Sequence, residues 1–201
     1  MAMRWFRRNV RAVDEPMLRG ARTTLRPFGP ADIHARYLAW LGDPVVNAYS
    51  RRGDGSITAE QAAAYLSDLG ADERVLAIET DALGHIGNVK YGPIDRANRR
   101  ADISIMIGER RSWGLGYGGE AIHVVSRHLF EHEGLNRLYA GTANPAFLRM
   151  VARLGWRVEG VLRERVWLRG RPVDWTLVAQ LHSEFRLIGE YQPVAAEGSR
   201  A

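Results

Sequence analysis

One stretch near the middle of the chain constrains the fold more strongly than any other. Residues 101–107 read as an apolar strand, the next segment contains glycines at 114, 116, 118 and 119, and helical spacing of apolar residues begins at Ala121. Glycine lets backbone N–H groups point inward without interference from a Cβ, and the start of a helix adds the positive end of its dipole. The stretch therefore predicts a strand, turn and helix whose turn binds an anionic ligand that carries a pyrophosphate.

The rest of the chain places this unit within a mixed sheet. Period-two patterns predict strands at 22–28, 75–80, 85–91, 101–107, 137–142, 156–161 and 173–181. Helical spacing predicts helices at 30–41, 58–69 and 145–154, and one beyond the glycine turn over 121–134. The middle strands form an antiparallel meander, whereas the strand–helix–strand unit that begins at the glycine turn requires a parallel pair. The predicted fold class is α/β of the α+β type, with a largely antiparallel sheet of about seven strands flanked by about four helices.

Composition favours one globular domain with short extensions. The predicted boundaries are a basic arm at 1–20, a domain at 21–185 and a tail at 186–201. The absence of cysteine excludes disulfides and thiolate metal sites. The basic N-terminus lacks the continuous apolar segment of a signal peptide, so we expect a cytoplasmic protein without a membrane span.

The charge of the chain is a weak guide to its partners. The net charge is +5 and the isoelectric point about 9.9, but arginine accounts for every basic residue except Lys90 and is scattered along the chain. No basic stripe with interleaved aromatic residues is present, which argues against nucleic acid as a partner. Arg110 and Arg111 differ because they lie at the glycine turn, where a planar guanidinium suits phosphate oxygens.

Two short motifs match known patterns without the context those patterns need. The glycines at 114, 116 and 119 fit a dinucleotide-binding spacing, but residues 109–113 separate them from the strand and no acidic residue ends the strand at 140–142. His128, Glu131 and His132 fit a zinc-protease pattern, yet histidines in the last turn of a helix favour its dipole and no third ligand is evident. We therefore expect no nicotinamide cofactor and no metal.

A third motif has the right context. Arg111-Ser-Trp-Gly-Leu-Gly116 fits the pattern (Gln/Arg)-x-x-Gly-x-(Gly/Ala), and similarity continues through residues 117–121, 144–156 and 159–164. On these segments the chain resembles the GNAT superfamily of acetyl-CoA-dependent N-acetyltransferases over roughly residues 22–181. Residues 40–46, 85–88 and 159–163 are most similar to the branch that contains ribosomal-protein and amino-sugar-nucleotide N-acetyltransferases.

The resemblance implies a binding site for acetyl-CoA. Backbone groups of Met106 and Ile107 would contact the pantetheine arm, and the turn would hold the pyrophosphate. Asn144 would open the next helix as a cap and also reach the pantetheine; a pure cap is the alternative. The implied binding residues are Met106, Ile107, Arg111, Ser112, Trp113, Gly114, Leu115, Gly116, Tyr117, Gly118, Gly119 and Asn144.

The resemblance also implies direct attack of a neutral amine on the thioester, with a backbone N–H near Ile107 stabilising the oxyanion. The chain departs from the family where side-chain catalysts often lie. It has Val151 in place of a tyrosine acid, Phe147 in place of a serine, and Tyr139 near the position of a glutamate base. Asp102 and Tyr139 are the candidate catalytic residues, with His85 as a further substitute. Asp102 as a solvated strand residue and His85 as a turn histidine are the structural alternatives.

The expected partners are acetyl-CoA and an amine acceptor. The acceptor is left open between a protein N-terminus, an aminosugar nucleotide and a small amine, and the chain is expected to be a monomer or a homodimer. A second hypothesis is a GNAT fold that binds acyl-CoA, or RNA through its basic surface, without efficient chemistry.

Overall fold

The computed structural model describes residues 17–50 and 57–187, which form one sheet flanked by helices. The strands are β1 (Leu18–Arg19), β2 (Thr24–Pro27), β3 (Arg74–Thr80), β4 (Gly84–Asp95), β5 (Arg100–Ile107), β6 (Arg137–Thr142), β7 (Arg157–Leu168) and β8 (Arg171–Leu181). The helices are α1 (Ala35–Gly42), α2 (Ala59–Ser67), α3 (Tyr117–Glu131) and α4 (Pro145–Arg153). Short 3₁₀ turns cover Pro30–Asp32, Arg110–Ser112 and His182–Glu184.

The order of strands across the sheet is β1-β2-β3-β4-β5-β6-β8-β7. Neighbouring strands are antiparallel except β5 and β6, which are parallel and are joined through α3. The parallel pair is the one required by the strand–helix–strand unit at the glycine turn. The predicted fold class, a mixed and largely antiparallel sheet with helices, is confirmed.

Several elements differ from the prediction; β4, for example, extends to Asp95, four residues beyond the strand predicted at 85–91. Leu18–Arg19 pairs with β2 inside the segment assigned to the basic arm, which adds an eighth strand. The helix predicted at 30–41 is divided, because Ile33 leaves helical geometry and His34 then caps α1 through Nδ1, which accepts from the Tyr37 N–H at 3.2 Å. The strand predicted to end at 161 continues to Leu168 because β8 offers a partner along that length.

The outer limits of the domain stay predictions. Residues 1–16 and 188–201, which include most of the predicted arm and tail, lie outside the described residues, as does the glycine-rich segment 51–56.

Two apolar clusters hold helices on opposite faces of the sheet. The side chains of Ile103, Ile105 and Ile107 pack in a main core with α3 and α4. Met106 instead packs with a second cluster, which comprises Phe28, Tyr37, Trp40, Ala62 and Ala77 under α1 and α2. The split follows from the period of two along a strand, which directs alternate side chains to opposite faces.

Buried histidines predict that the fold weakens in mild acid. Burial is the largest cause that lowers the pKa of three histidines, His85, His123 and His128, below the ordinary value of 6.5. The unfolded chain therefore binds protons that the folded chain does not, so stability is lost as pH falls through 6.5 towards the lowered values. We expect a lower Tm at pH 5.5 than at pH 7.5 in thermal unfolding.

The same measurement includes its controls. His85→Gln should reduce the difference in Tm between the two pH values, and His182→Gln, on the exposed turn after β8, should leave it unchanged. A Tm that does not fall between pH 7.5 and 5.5 would contradict the assignment.

Candidate active site

The sheet opens between β5 and β6. Their parallel pairing covers Arg100 to Asp102 on β5 and ends at the pair Asp102 and Tyr139. Beyond that point β5 stays paired with β4 as far as Ile107, while β6 stays paired with β8 as far as Thr142. Residues 103–107 therefore present one backbone edge to the opening, and such an edge can hydrogen-bond the amides of an extended ligand.

Hydrogen bonds to β4 and within the turn hold the segment that follows β5. The N–H groups of Gly108 and Glu109 both donate to the Ile86 carbonyl, at 2.9 and 3.0 Å. The Ser112 hydroxyl donates to the Glu109 carbonyl at 2.6 Å, and the Glu109 carboxylate accepts from the Arg111 N–H at 3.2 Å. The 3₁₀ turn between the strand and the glycines is itself formed by the Ser112 N–H, which donates to the Glu109 carbonyl at 3.0 Å, and the Trp113 N–H, which donates to the Arg110 carbonyl at 3.1 Å.

Two of the glycines have a conformation that other residues rarely adopt. Gly114 has φ of 77° and Gly116 has φ of 88°, both in the left-handed region, and Gly116 is the N-cap of the 15-residue helix α3. Gly118 packs closely instead, because an added Cβ would lie 3.3 Å from the Met150 sulfur and would displace that side chain slightly. The glycines thus allow the chain to reverse at the positive end of a long helix.

The arginines of the turn have carboxylate partners. The Arg111 side chain is 72% exposed and its Nε lies 3.0 Å from Glu109 Oε1. The hydrogen bond from Arg111 is the largest cause that holds the pKa of Glu109 below its usual value. Arg110 lies 3.8 Å from Asp43 Oδ2. The Arg110 pair is partly exposed and contributes little to stability, so Arg110 can exchange Asp43 for a phosphate at low cost. The Glu109 side chain is only 12% exposed, so Arg111 is held more firmly by its partner.

The end of β5 has a side-chain contact that no local pattern in the sequence predicts. The Trp113 indole N–H donates to the Ile107 carbonyl at 2.8 Å, so this carbonyl already has a partner in the structure. Leu115 and Tyr117, two further predicted binding residues, lie next to Arg22, and Gly119 is buried in the first turn of α3.

The two candidate catalytic residues are neighbours in the sheet. Asp102 and Tyr139 are register partners on β5 and β6 at the last pair before the strands separate. Both are partly exposed, and the alternation along β5 places Asp102 on the same face as Ser104 and Met106, opposite α3 and α4. The Arg100 guanidinium lies 6.0 Å from the Tyr139 ring centre.

His85 is not part of this pair. It lies on β4 near the opposite end of β5, buried against the rings of Phe28, Tyr37 and Trp40. Its Nε2 is 3.0 Å from the Gly87 carbonyl oxygen, which can only accept, so the proton is on Nε2. The structure thus places it in the second apolar cluster rather than beside the opening.

The start of α4 combines an expected cap with an apolar face. Asn144 Oδ1 accepts from the Ala146 N–H at 2.9 Å, as an N-cap does. Val151, at the position where the resemblance places a tyrosine acid, is 1% exposed and packs in the main core. Phe147 packs against the same core.

Sequence reasoning missed two residues beside the glycine turn, Glu120 on α3 and Arg22 before β2. The Glu120 carboxylate, 2% exposed, accepts from the N–H groups of Arg22 and Thr23 at 2.7 and 3.0 Å. Arg22 Nη1 donates to the Leu115 carbonyl at 3.0 Å. A glutamate between Gly119 and Ala121, on a helix whose neighbouring positions are small or apolar, was the signal that could have found this contact.

Within residues 17–50 and 57–187, no three histidine, aspartate or glutamate side chains are grouped so as to hold a metal ion. In the same part of the chain no helix is both long and apolar enough to cross a membrane.

Comparisons with known proteins identify the family. The family model for the acetyltransferase (GNAT) domain matches residues 22–157. The chain is 30% identical over 167 residues to the uncharacterised N-acetyltransferase YoaA of Bacillus subtilis. The alignment covers 79% of this chain and 93% of that protein. It is also 30% identical over 113 residues to the uncharacterised N-acetyltransferase p20 of Bacillus licheniformis, which covers 55% of this chain and 62% of that protein.

Solved structures share the fold at lower identity. A spermidine N-acetyltransferase from Vibrio cholerae, in complex with CoA and spermine, superposes with a TM-score of 0.74 at 21% identity, over 82% of this chain and 98% of that one. A GNAT-family acetyltransferase from Bacillus anthracis superposes with a TM-score of 0.71 at 18% identity, over 84% of this chain and all of that one. The match to the family model and the similarity to the Bacillus subtilis protein show that the chain belongs to the GNAT family of acetyl-CoA-dependent N-acyltransferases.

Proposed function

We propose that this protein transfers an acetyl group from acetyl-CoA to a primary amine by direct attack within a ternary complex. One observation carries the proposal. The strand β5, whose edge is unpaired beyond Asp102, is followed by a short 3₁₀ turn and then by two left-handed glycines at the start of α3. An unpaired strand edge can hydrogen-bond the extended, amide-bearing arm of a ligand, and a glycine turn at a helix start can bind its pyrophosphate.

The residues at the opening fit acetyl-CoA as a co-substrate. The edge of residues 103–107 would pair with the pantetheine amides, and the N–H groups of residues 111–119 would face the pyrophosphate. Arg110 and Arg111 would add positive charge once they leave their carboxylate partners. No metal is needed for this chemistry.

In the proposed reaction the amine nitrogen forms a bond to the thioester carbon and the carbon–sulfur bond breaks. We assign Asp102 to take the proton that the amine loses and Tyr139 to supply a proton to the thiolate, because the two residues are register partners at the point where β5 and β6 separate. A backbone N–H near Ile107 would stabilise the oxyanion. Orientation of the two substrates would supply much of the rate advantage.

Two lines of support point to different acceptors. The structural neighbour from Vibrio cholerae holds spermine, which supports a small polyamine. The segments 40–46, 85–88 and 159–163 support an aminosugar nucleotide or a protein N-terminus. An amine panel that contains all three classes distinguishes them.

Ligand-dependent thermal shift is the first test. Binding to the folded state alone raises stability by about 2.7 kcal/mol at a ligand concentration of 100 times Kd. We expect acetyl-CoA and CoA to raise the Tm, and NAD and zinc to leave it unchanged. No shift with acetyl-CoA would contradict the proposal.

Thiol release in the presence of the amine panel is the second test. We expect release that depends on both acetyl-CoA and one class of amine. Binding of acetyl-CoA without release for any amine would favour a GNAT fold that binds acyl-CoA without efficient chemistry.

A further inference from the structure

Glu120 is a buried carboxylate at the first turn of α3, and the turn between β1 and β2 closes around it. Besides the two backbone N–H groups of Arg22 and Thr23, the carboxylate accepts from the Thr23 hydroxyl at 3.0 Å and from Arg22 Nε at 3.2 Å. An added Cβ on Gly20 would lie 2.3 Å from Glu120 Oε1, so the backbone packs directly on the carboxylate. Charge-assisted hydrogen bonds of this kind hold their partners firmly.

The Arg22 guanidinium extends this contact to the glycine turn. While Nε faces Glu120, Nη1 donates to the Leu115 carbonyl at 3.0 Å, and the guanidinium carbon lies 4.8 Å from the centre of the Tyr117 ring. Leu115 lies between the two left-handed glycines, Gly114 and Gly116. Arg22 therefore connects the first strands, the start of α3 and the most conformationally free part of the turn.

The contact with Leu115 fixes the direction of the next N–H group. In a planar trans peptide, the carbonyl and the N–H of the same unit point in opposite directions. The Leu115 carbonyl points to Arg22, so the Gly116 N–H points away from it. Glycine neighbours would otherwise let this peptide unit rotate, since glycine populates positive and negative φ about equally.

We propose that Arg22, anchored on Glu120, is a positioning residue for the diphosphate of acetyl-CoA: it holds the Leu115–Gly116 peptide so that the Gly116 N–H is directed into the site before the ligand arrives. This inference rests on the proposed function for its ligand, but the order of the ligand-free turn is a property of the chain itself. A turn that is already ordered loses less conformational freedom on binding.

The test compares two thioesters that differ in the diphosphate. Arg22→Ala should weaken acetyl-CoA binding by about tenfold, the size expected for losing one hydrogen bond to a charged group. The same variant should leave S-acetylpantetheine, which lacks the diphosphate, within about twofold of the wild-type affinity. Hydrogen exchange of residues 114–119 in the ligand-free protein should become faster.

Arg26→Ala is the matched control. Arg26 lies on β2, its side chain is 29% exposed against 31% for Arg22, and it forms ion pairs with Asp32 and Glu79 away from the glycine turn. It should change neither the ratio of the two affinities nor exchange at residues 114–119. Arg22→Lys is a second variant that keeps a positive charge beside Glu120 but lacks the fork that reaches Leu115, so it should retain the fold and lose acetyl-CoA affinity.

Each result decides a different point. Equal loss of affinity for both thioesters would make Arg22 a general structural residue, and weaker acetyl-CoA binding with unchanged exchange would make it a direct ligand contact; either overturns the proposal. Unchanged acetyl-CoA affinity overturns it as well. If the wild-type chain binds neither thioester, the proposed function fails, and the exchange measurement still shows whether Arg22 orders the turn.

Discussion

We expect Gly114→Glu to abolish the thermal shift that acetyl-CoA should produce and to lower the affinity for acetyl-CoA by at least about 100-fold, which amounts to about 2.7 kcal/mol. Gly114 has φ of 77°, where a residue with a Cβ is strained by about 1–2 kcal/mol. The new carboxylate would also stand at the start of α3, where it competes with the diphosphate for the same N–H groups. Isothermal titration with acetyl-CoA measures the change.

The control for this variant is Gly134→Glu. Gly134 follows the other end of α3, has φ of 66°, and like Gly114 has no atom within 4 Å of an added Cβ. The two substitutions therefore carry similar backbone strain and the same added charge at opposite ends of one helix. Gly134→Glu should lower the Tm while acetyl-CoA affinity stays near the wild-type value. Wild-type affinity in Gly114→Glu would show that the diphosphate does not bind at this turn.

The second large effect is a loss of kcat when Asp102, at the end of the parallel pairing of β5 and β6, is replaced. Asp102→Asn should lower kcat for acetyl transfer by about 10²-fold, the lower end of the range for loss of a general base or acid. Acetyl-CoA affinity should stay unchanged, because Asp102 precedes the edge assigned to the pantetheine. Tyr139→Phe should lower kcat in the same direction. Steady-state kinetics with the acceptor found in the amine panel measure both variants.

Ser104→Ala is the matched control for the catalytic pair. Ser104 lies two residues along β5 on the same face as Asp102 and is exposed. It should alter kcat by less than about threefold, because it lies beside the proposed reacting groups without a role in proton transfer. If Asp102→Asn retains wild-type kcat while Ser104→Ala does not, the assignment of the base to Asp102 is wrong.

Local signals predicted most of the elements that build the opening. Thr58 and Gln61 exchange hydrogen bonds at the start of α2 as their spacing predicts, with Thr58 N–H to Gln61 Oε1 at 2.9 Å. The period of two at 101–107 and the helical period after Ala121 were sufficient to place β5 and α3. Each of these features depends on residues that lie within a few positions of each other, so it can be predicted from the sequence alone.

The long-range contacts of the site could not be predicted from local patterns in the sequence. Arg22 and Glu120 are 98 positions apart, and neither local period nor charge pattern relates them. The contact between the Trp113 indole and the Ile107 carbonyl depends on the path of the intervening 3₁₀ turn. The extension of β7 to Leu168 was missed because it depends on β8 as a partner rather than on alternation in β7 itself.

By itself, the sequence determined the family, the fold class and the glycine turn, because backbone conformation at Gly114 and Gly116 and the spacing of apolar residues are local properties. Only the tertiary structure decided that Asp102 and Tyr139 meet where the sheet opens, that His85 is enclosed in the second apolar cluster, and that Arg22 reaches the turn. Strand pairing and packing set those distances, and they join residues that the chain keeps far apart.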